Sequence, residues 1–157
     1  MSAQTIFDTA PLGSLISYSD GKPKPPARFV NKLRAWQRSN GIGRLIRRDA
    51  PIHWSTYASP AGITLHQGDF ASGGVVVMTV HHTYLVTSDL AFAIVARPAP
   101  GSILVLHPWG GHVELLHLAL DRSAAQAWLA KNHYSDAVLE EAPSDASAAS
   151  SIVGRVA

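Results

Sequence analysis

From residue 63 to residue 119 the chain repeats one pattern, in which short apolar segments alternate with Gly, Pro, Ser and Asp. Any fold must therefore accommodate a mostly antiparallel sheet. The pattern predicts strands at 63–67, 74–81, 82–87, 90–96, 102–107 and 112–119. Residues 74–87 also read as one long bent strand, since the boundary near His81 is soft. Turn signals fall at Gly68 and Asp69, Gly73 and Gly74, Ser88 and Asp89, and residues 98–101. The clearest pairing is a hairpin of 102–107 with 112–119, closed by a four-residue connection. A register that sets His107 opposite His112 sets Val105 opposite Glu114.

Two helices flank these strands. Pro25 and Pro26 suit a helix start, where missing amide hydrogens cost little. Over 27–39, helical spacing gathers Phe29, Leu33 and Trp36 on one side, with Val30 close by. That stripe should anchor the helix to the sheet, with Trp36 in the core. Asn40 and Gly41 tolerate a left-handed stop, and Gly41 to Gly43 then reads as a chain reversal. Residues 51–60 read as a loop with one short strand. A second helix is expected over 123–132, capped by Asp121 or Ser123, with Ala124, Ala127, Trp128 and Lys131 on one stripe. With 157 residues, 46% of them apolar, the chain can bury a real core. The expected architecture is α+β, a mostly antiparallel β-sheet packed with two principal helices. Residues 1–25 read as an N-terminal arm and turn-rich lead-in, 26–142 as a single domain, and 143–157 as a flexible Ala/Ser-rich tail.

The charge is one-sided. Residues 21–48 hold nine Lys or Arg and no Asp or Glu, so a formal net charge of +2 divides into about +9 there and −7 elsewhere. A concentrated field of this kind favours a polyanion. Arg28, Lys32, Arg34 and Arg38 occupy the helix circumference left by the apolar stripe, and Arg44, Arg47 and Arg48 would extend the surface. Such a row can contact successive phosphates of DNA or RNA. Trp54 and Tyr57 are candidates for stacking on exposed bases. The expectation is a small, non-catalytic, cytoplasmic nucleic-acid-associated protein without a cofactor. An accessory or regulatory role in bacterial DNA metabolism would fit such a surface. A protein-interaction module or inhibitor with an acidic partner is the alternative. Sheet edges would also allow a homodimer.

Catalytic chemistry has fewer handles. The absence of cysteine removes disulfides, thiolate nucleophiles and cysteine-based metal sites. No G-x-S-x-G elbow or G-x-x-x-x-G-K-S/T phosphate loop occurs. The longest wholly apolar run is too short to cross a bilayer, and no basic group precedes a hydrophobic run at the start. Asp69 and Asp89 sit at expected turns, where Asp bonds its own backbone. Adjacent His81 and His82 would face opposite ways in a strand, as would His112 and His117. The best constellation is His107, His112 and Glu114 across the hairpin, two imidazoles and a carboxylate of a kind that can hold a divalent metal. It carries the third reading, a His-assisted hydrolase or metalloprotein.

Overall fold

The strand pattern resolves into two stacked sheets with a helix outside each. The structure, a computed structural model, describes residues 1–144. The larger sheet is antiparallel throughout and has the order β6-β5-β2-β1-β7. Its strands are β1 (Leu15–Ser19), β2 (Gly41–Asp49), β5 (Gly62–Ser72), β6 (Val75–Leu85) and β7 (Ala91–Ala96). The smaller sheet, β10-β8-β9, comprises β8 (Ile103–Trp109), β9 (His112–Ala119) and β10 (Val138–Glu141). A separate hairpin joins β3 (Ile52–Trp54) to β4 (Tyr57–Ser59). The helices are α1 (Ala3–Thr9), α2 (Val30–Ser39) and α3 (Arg122–Asn132). The α+β expectation holds.

Three apolar clusters set the layers. Ala3, Ile6 and Ala10 recur at helical spacing and pack α1 against Ile16, Tyr18, Leu45, Ile63, Leu65 and Phe92 on the outer face of the large sheet. Ile46 meets Leu104, Leu106 and Leu115 between the sheets. Ile103, Val105 and Ala119 pack against Ala125, Trp128 and Leu129 of α3. The Asp121 side chain accepts the backbone N–H of Ala124 at 2.7 Å, so the predicted cap stands. The buried residue of α3 is Ala125, whereas Ala124, Ala127 and Lys131 of the expected stripe are exposed.

Several sequence expectations are corrected. The segment read as a lead-in supplies α1 and β1, with Ser2 capping α1 through the Thr5 N–H. Strand 63–67 runs from Gly62 to Ser72, and 74–81 and 82–87 are one strand, β6. Residues 51–60 hold two short strands rather than one. Helix α2 begins at Val30 instead of residue 27, and no residue in it is buried. Its apolar side does not reach a core: Phe29 and Val30 are exposed, while Leu33 and Trp36 are half-buried. Asn40 is extended, with φ −140°, because its amide bonds to Asp20, Ser19 and the Trp36 carbonyl replace a left-handed stop. Gly41 to Gly43 do not reverse the chain but open β2. Of the tail, residues 145–157 lie outside the described residues.

Three register shifts decide which side chains share a face. In a regular strand, residues three apart point oppositely. Extra residues at Ile46, Gln67 and Leu116 reverse that parity. Arg44 and Arg47 thereby share the inner face of β2, and His66 and Asp69 that of β5. Leu115 and Leu118 likewise pack against one cluster.

The two glycines of β2 serve close packing. A Cβ on Gly41 would lie 2.6 Å from the Tyr18 hydroxyl, and one on Gly43 would lie 2.9 Å from Leu65 Cβ and 3.0 Å from the His66 carbonyl oxygen. Gly43→Ala should therefore destabilise the fold by about 1–2 kcal/mol, since overpacking of about 1–3 kcal/mol exceeds the entropy gain from alanine of about 0.4–1 kcal/mol. Urea denaturation measures this directly; an unchanged or raised midpoint would contradict the packing argument.

Candidate functional site

The basic run divides into two surfaces. On α2 and the segment before it, Lys24, Arg28, Lys32, Arg34 and Arg38 have no carboxylate within ion-pair distance among the described residues. Arg28 and Lys32 flank the Phe29 ring at 4.8 and 5.1 Å, and Lys24 lies 6.0 Å from the Trp36 ring. Trp36 is not a core residue; its indole N–H donates to the Lys22 carbonyl at 2.8 Å. Asn40, 7% exposed, ties the helix end to β1 through Ser19 and Asp20. The Asn40 amide and the Lys22 N–H hold the Asp20 carboxyl below its ordinary pKa. The other end of α2 has neither a side-chain cap nor an acidic residue in its first turn. Its positive dipole end thus faces further positive charge.

Arg44, Arg47 and Arg48 do not extend this helix face, because they lie along strand β2. Arg44 donates to the Gly13 carbonyl at 2.6 Å, and Arg48 to the Phe7 carbonyl at 3.2 Å. Arg47 is neutralised: its Nε is 2.8 Å from Asp49 Oδ1 and its Nη1 is 3.8 Å from Glu114 Oε2. Trp54 and Tyr57, cross-strand partners in the β3–β4 hairpin, are 75% and 58% exposed. They follow the far end of β2 from α2, about 26 Å of strand away at ~3.3 Å per residue. They do not form one platform with the helix.

The hairpin register also differs from expectation. His107 pairs with Glu114 and His112 with Trp109, because only Gly110 and Gly111 connect the strands in place of the expected four residues, and the bulge at Leu116 then sets Val105 opposite His117. His107 lies 5.7 Å from the Tyr134 ring, while His112 Nδ1 is 3.2 Å from Asp49 Oδ1 and Glu114 faces Arg47. Among the described residues, no three His, Asp or Glu side chains converge to hold a metal.

A different constellation spans the inner face of the large sheet. Arg44, His66 and His81 are successive cross-strand partners on β2, β5 and β6. The His66 and His81 rings meet edge-on at 5.6 Å. His66 Nε2 is 2.8 Å from Asp69 Oδ1, and the His66 ring and the Thr79 hydroxyl hold the Asp69 carboxyl below its ordinary range. His82, on the opposite face, lies beside Tyr84, as strand alternation requires. Burial and the Tyr18 hydroxyl push the Tyr84 hydroxyl pKa well up.

The Arg44–His66–His81 row floors a cleft of about 620 Å³ between the sheets. Five consecutive residues of β9, 114–118, form its wall, an arrangement available to a strand that presents its edge. Strand β9 has one ladder partner, β8. Trp128, Asn132 and Tyr134 close the far side, with the His117 and Tyr134 rings stacked parallel to Trp128 at 5.1 and 5.8 Å. Sequence spacing gave no sign of this site, since its residues come from separate elements and two lie next to bulges.

Burial lowers the His117 pKa. The unfolded chain therefore takes that proton first, so the stability His117 contributes is complete above about pH 6.5 and declines as the pH falls toward the folded value. His117→Phe, which keeps a ring against Trp128, should reduce the fall in Tm between about pH 7.5 and 5.5. Equal Tm losses in the two proteins would remove His117 as the source.

Among the described residues, no helix is long and apolar enough to cross a membrane. Comparison with curated proteins and with solved structures finds no match. One family, described as uncharacterised conserved protein UCP036055, matches residues 1–146, nearly the full length and both surfaces described above. The chain belongs to that family.

Proposed function

We propose that this is a cytoplasmic, non-catalytic nucleic-acid-associated protein whose α2 surface contacts phosphates. The observation that carries the reading is the set of five cations on and before α2 that have no carboxylate partner among the described residues. The uncapped N-terminus of the same helix adds unsatisfied N–H donors and positive dipole. A phosphate there relieves both the repulsion among the cations and the missing cap. Phe29, 41% exposed between Arg28 and Lys32, offers a ring for a base or sugar beside those phosphates. Arg44, Arg47 and Arg48 have no direct part in this reading, because they lie along strand β2 and not on the α2 face.

The test is a salt series against double-stranded DNA, single-stranded DNA, RNA and an acidic protein. Each phosphate contact contributes about −0.7 to −0.9 to the slope of log K against log salt. Arg34→Glu combined with Arg38→Glu should flatten the slope by about 1–2 and weaken binding throughout the salt range. Circular dichroism should show the sheets unchanged, since neither residue is buried. Salt-independent binding would reject the reading, and a complex with the acidic protein alone would make α2 a protein-docking helix.

One observation favours a second reading, self-association. Strand β6 is an edge of the large sheet, and Val75, Val76, Val77 and Met78 are each more than half exposed along it. No charged residue interrupts 75–80. Antiparallel pairing of two such edges about a two-fold axis would cover both at once. Sedimentation should then give a dimer mass that Val77→Lys reduces to that of a monomer; a monomeric parent protein at working concentrations removes this reading.

A further inference from the structure

We infer that the cleft between the sheets is a binding site for a small organic anion, a carboxylate or phosphate ester with an apolar body. The site is separate from α2. Its floor is the cross-strand row Arg44–His66–His81. The row sets one permanent cation, Arg44, beside two imidazole rings whose ring nitrogens can bond an anionic head.

Arg44 is the fixed cation of the row. No carboxylate lies within ion-pair distance of it among the described residues. Its Nη1 is held by the Gly13 carbonyl, which orients the planar donor fork and leaves its other N–H groups for a ligand. Asp69 occupies Nε2 of His66, leaving Nδ1 as that ring's other hydrogen-bonding atom. Glu114, the other carboxylate in the lining, faces Arg47 at 3.8 Å. Arg44 thus keeps its charge for an incoming group.

The remaining lining selects the ligand's body. Ile46, Val76, Leu115, Leu116 and Leu118 form an apolar wall beside the row. The volume of about 620 Å³ exceeds what a bare inorganic ion fills and falls in the range of small-molecule sites, about 300–1,000 Å³. The edge of β9 adds backbone donors and acceptors that β8 does not use. Such a lining accepts an anionic head over the row and an apolar body against β9.

The experiment follows histidine ring signals by NMR while phenyl phosphate, benzoate or inorganic phosphate is titrated at constant ionic strength. Saturable shifts should centre on His66, His81 and His117, which line the cleft, while His53, in the β3–β4 hairpin outside that lining, stays fixed. Phenyl phosphate or benzoate should bind about tenfold or more tightly than inorganic phosphate, and the two organic probes identify which anionic head the site prefers. Arg44→Gln should weaken binding about tenfold or more. Because Arg44 also holds Gly13, the double variant His66→Gln, His81→Gln provides an independent test with Arg44 intact. Lys32→Glu on α2 should leave the affinity unchanged. Uniform shifts across all eight histidines, equal affinity for inorganic phosphate, or unaltered binding in both cleft variants would overturn the assignment.

Discussion

Everything in this fold depends on β2 being packed from both faces and both edges. It lies between β1 and β5, contributes Leu45 to the outer core and Ile46 to the inner one, and approaches its neighbours too closely for side chains at Gly41 and Gly43. One inserted residue makes this double duty feasible. Without the bulge at Ile46, Arg47 would turn to the outer face, where Arg48 already reaches the Phe7 carbonyl of α1, and away from Glu114 on the other sheet. The bulge instead turns Arg47 toward Asp49 and Glu114, whose charges tie the two sheets together.

The same strand explains why one continuous basic run becomes two surfaces. From Gly21 to Ser39 the chain lies outside the sheets, first irregular and then helical from Val30, so its cations point into solvent. From Gly41 it enters the sheet, and each arginine meets a backbone carbonyl or a carboxylate. Local charge density is the same on both sides of Asn40, but the environment is not. Cations left in water keep their long-range field, whereas those inside the sheets act over hydrogen-bond distances.

Much of the architecture was legible in the sequence, for identifiable reasons. Alternating segments gave the strands of the second half, the glycines at 110 and 111 marked the β8–β9 hairpin although its turn is two residues and not four, and Asp121 marked the start of α3. Turn length and bulges were the main losses: a two-residue turn moved His107 from His112 to Glu114, and the extra residue at Gln67, which changes no composition, brought Asp69 from an expected turn onto the face of His66. Glycine was ambiguous because a turn and a crowded strand require the same residue. Periodicity correctly gathered Phe29, Leu33 and Trp36 on one side of a helix, but it could not tell whether a sheet lay beneath them. The cleft was invisible because Arg44, His66, His81 and His117 become neighbours only through pairings among four strands and a stacked helix.

The position of the first segment has a consequence for how the chain assembles. Strand β1 lies between β2 and β7, and the Phe92 N–H donates to the Met1 carbonyl at 2.8 Å. Ile6 and Phe92 share a single apolar cluster although 86 residues separate them. During synthesis residues 1–19 can meet β2 early but must remain without their neighbours on β7 until the chain through Ala96 has followed. Closing such a long loop costs entropy before its contacts are made, so the docking of residues 1–19 on β7 is a non-local step during which Ile6 and Ile16 are incompletely covered.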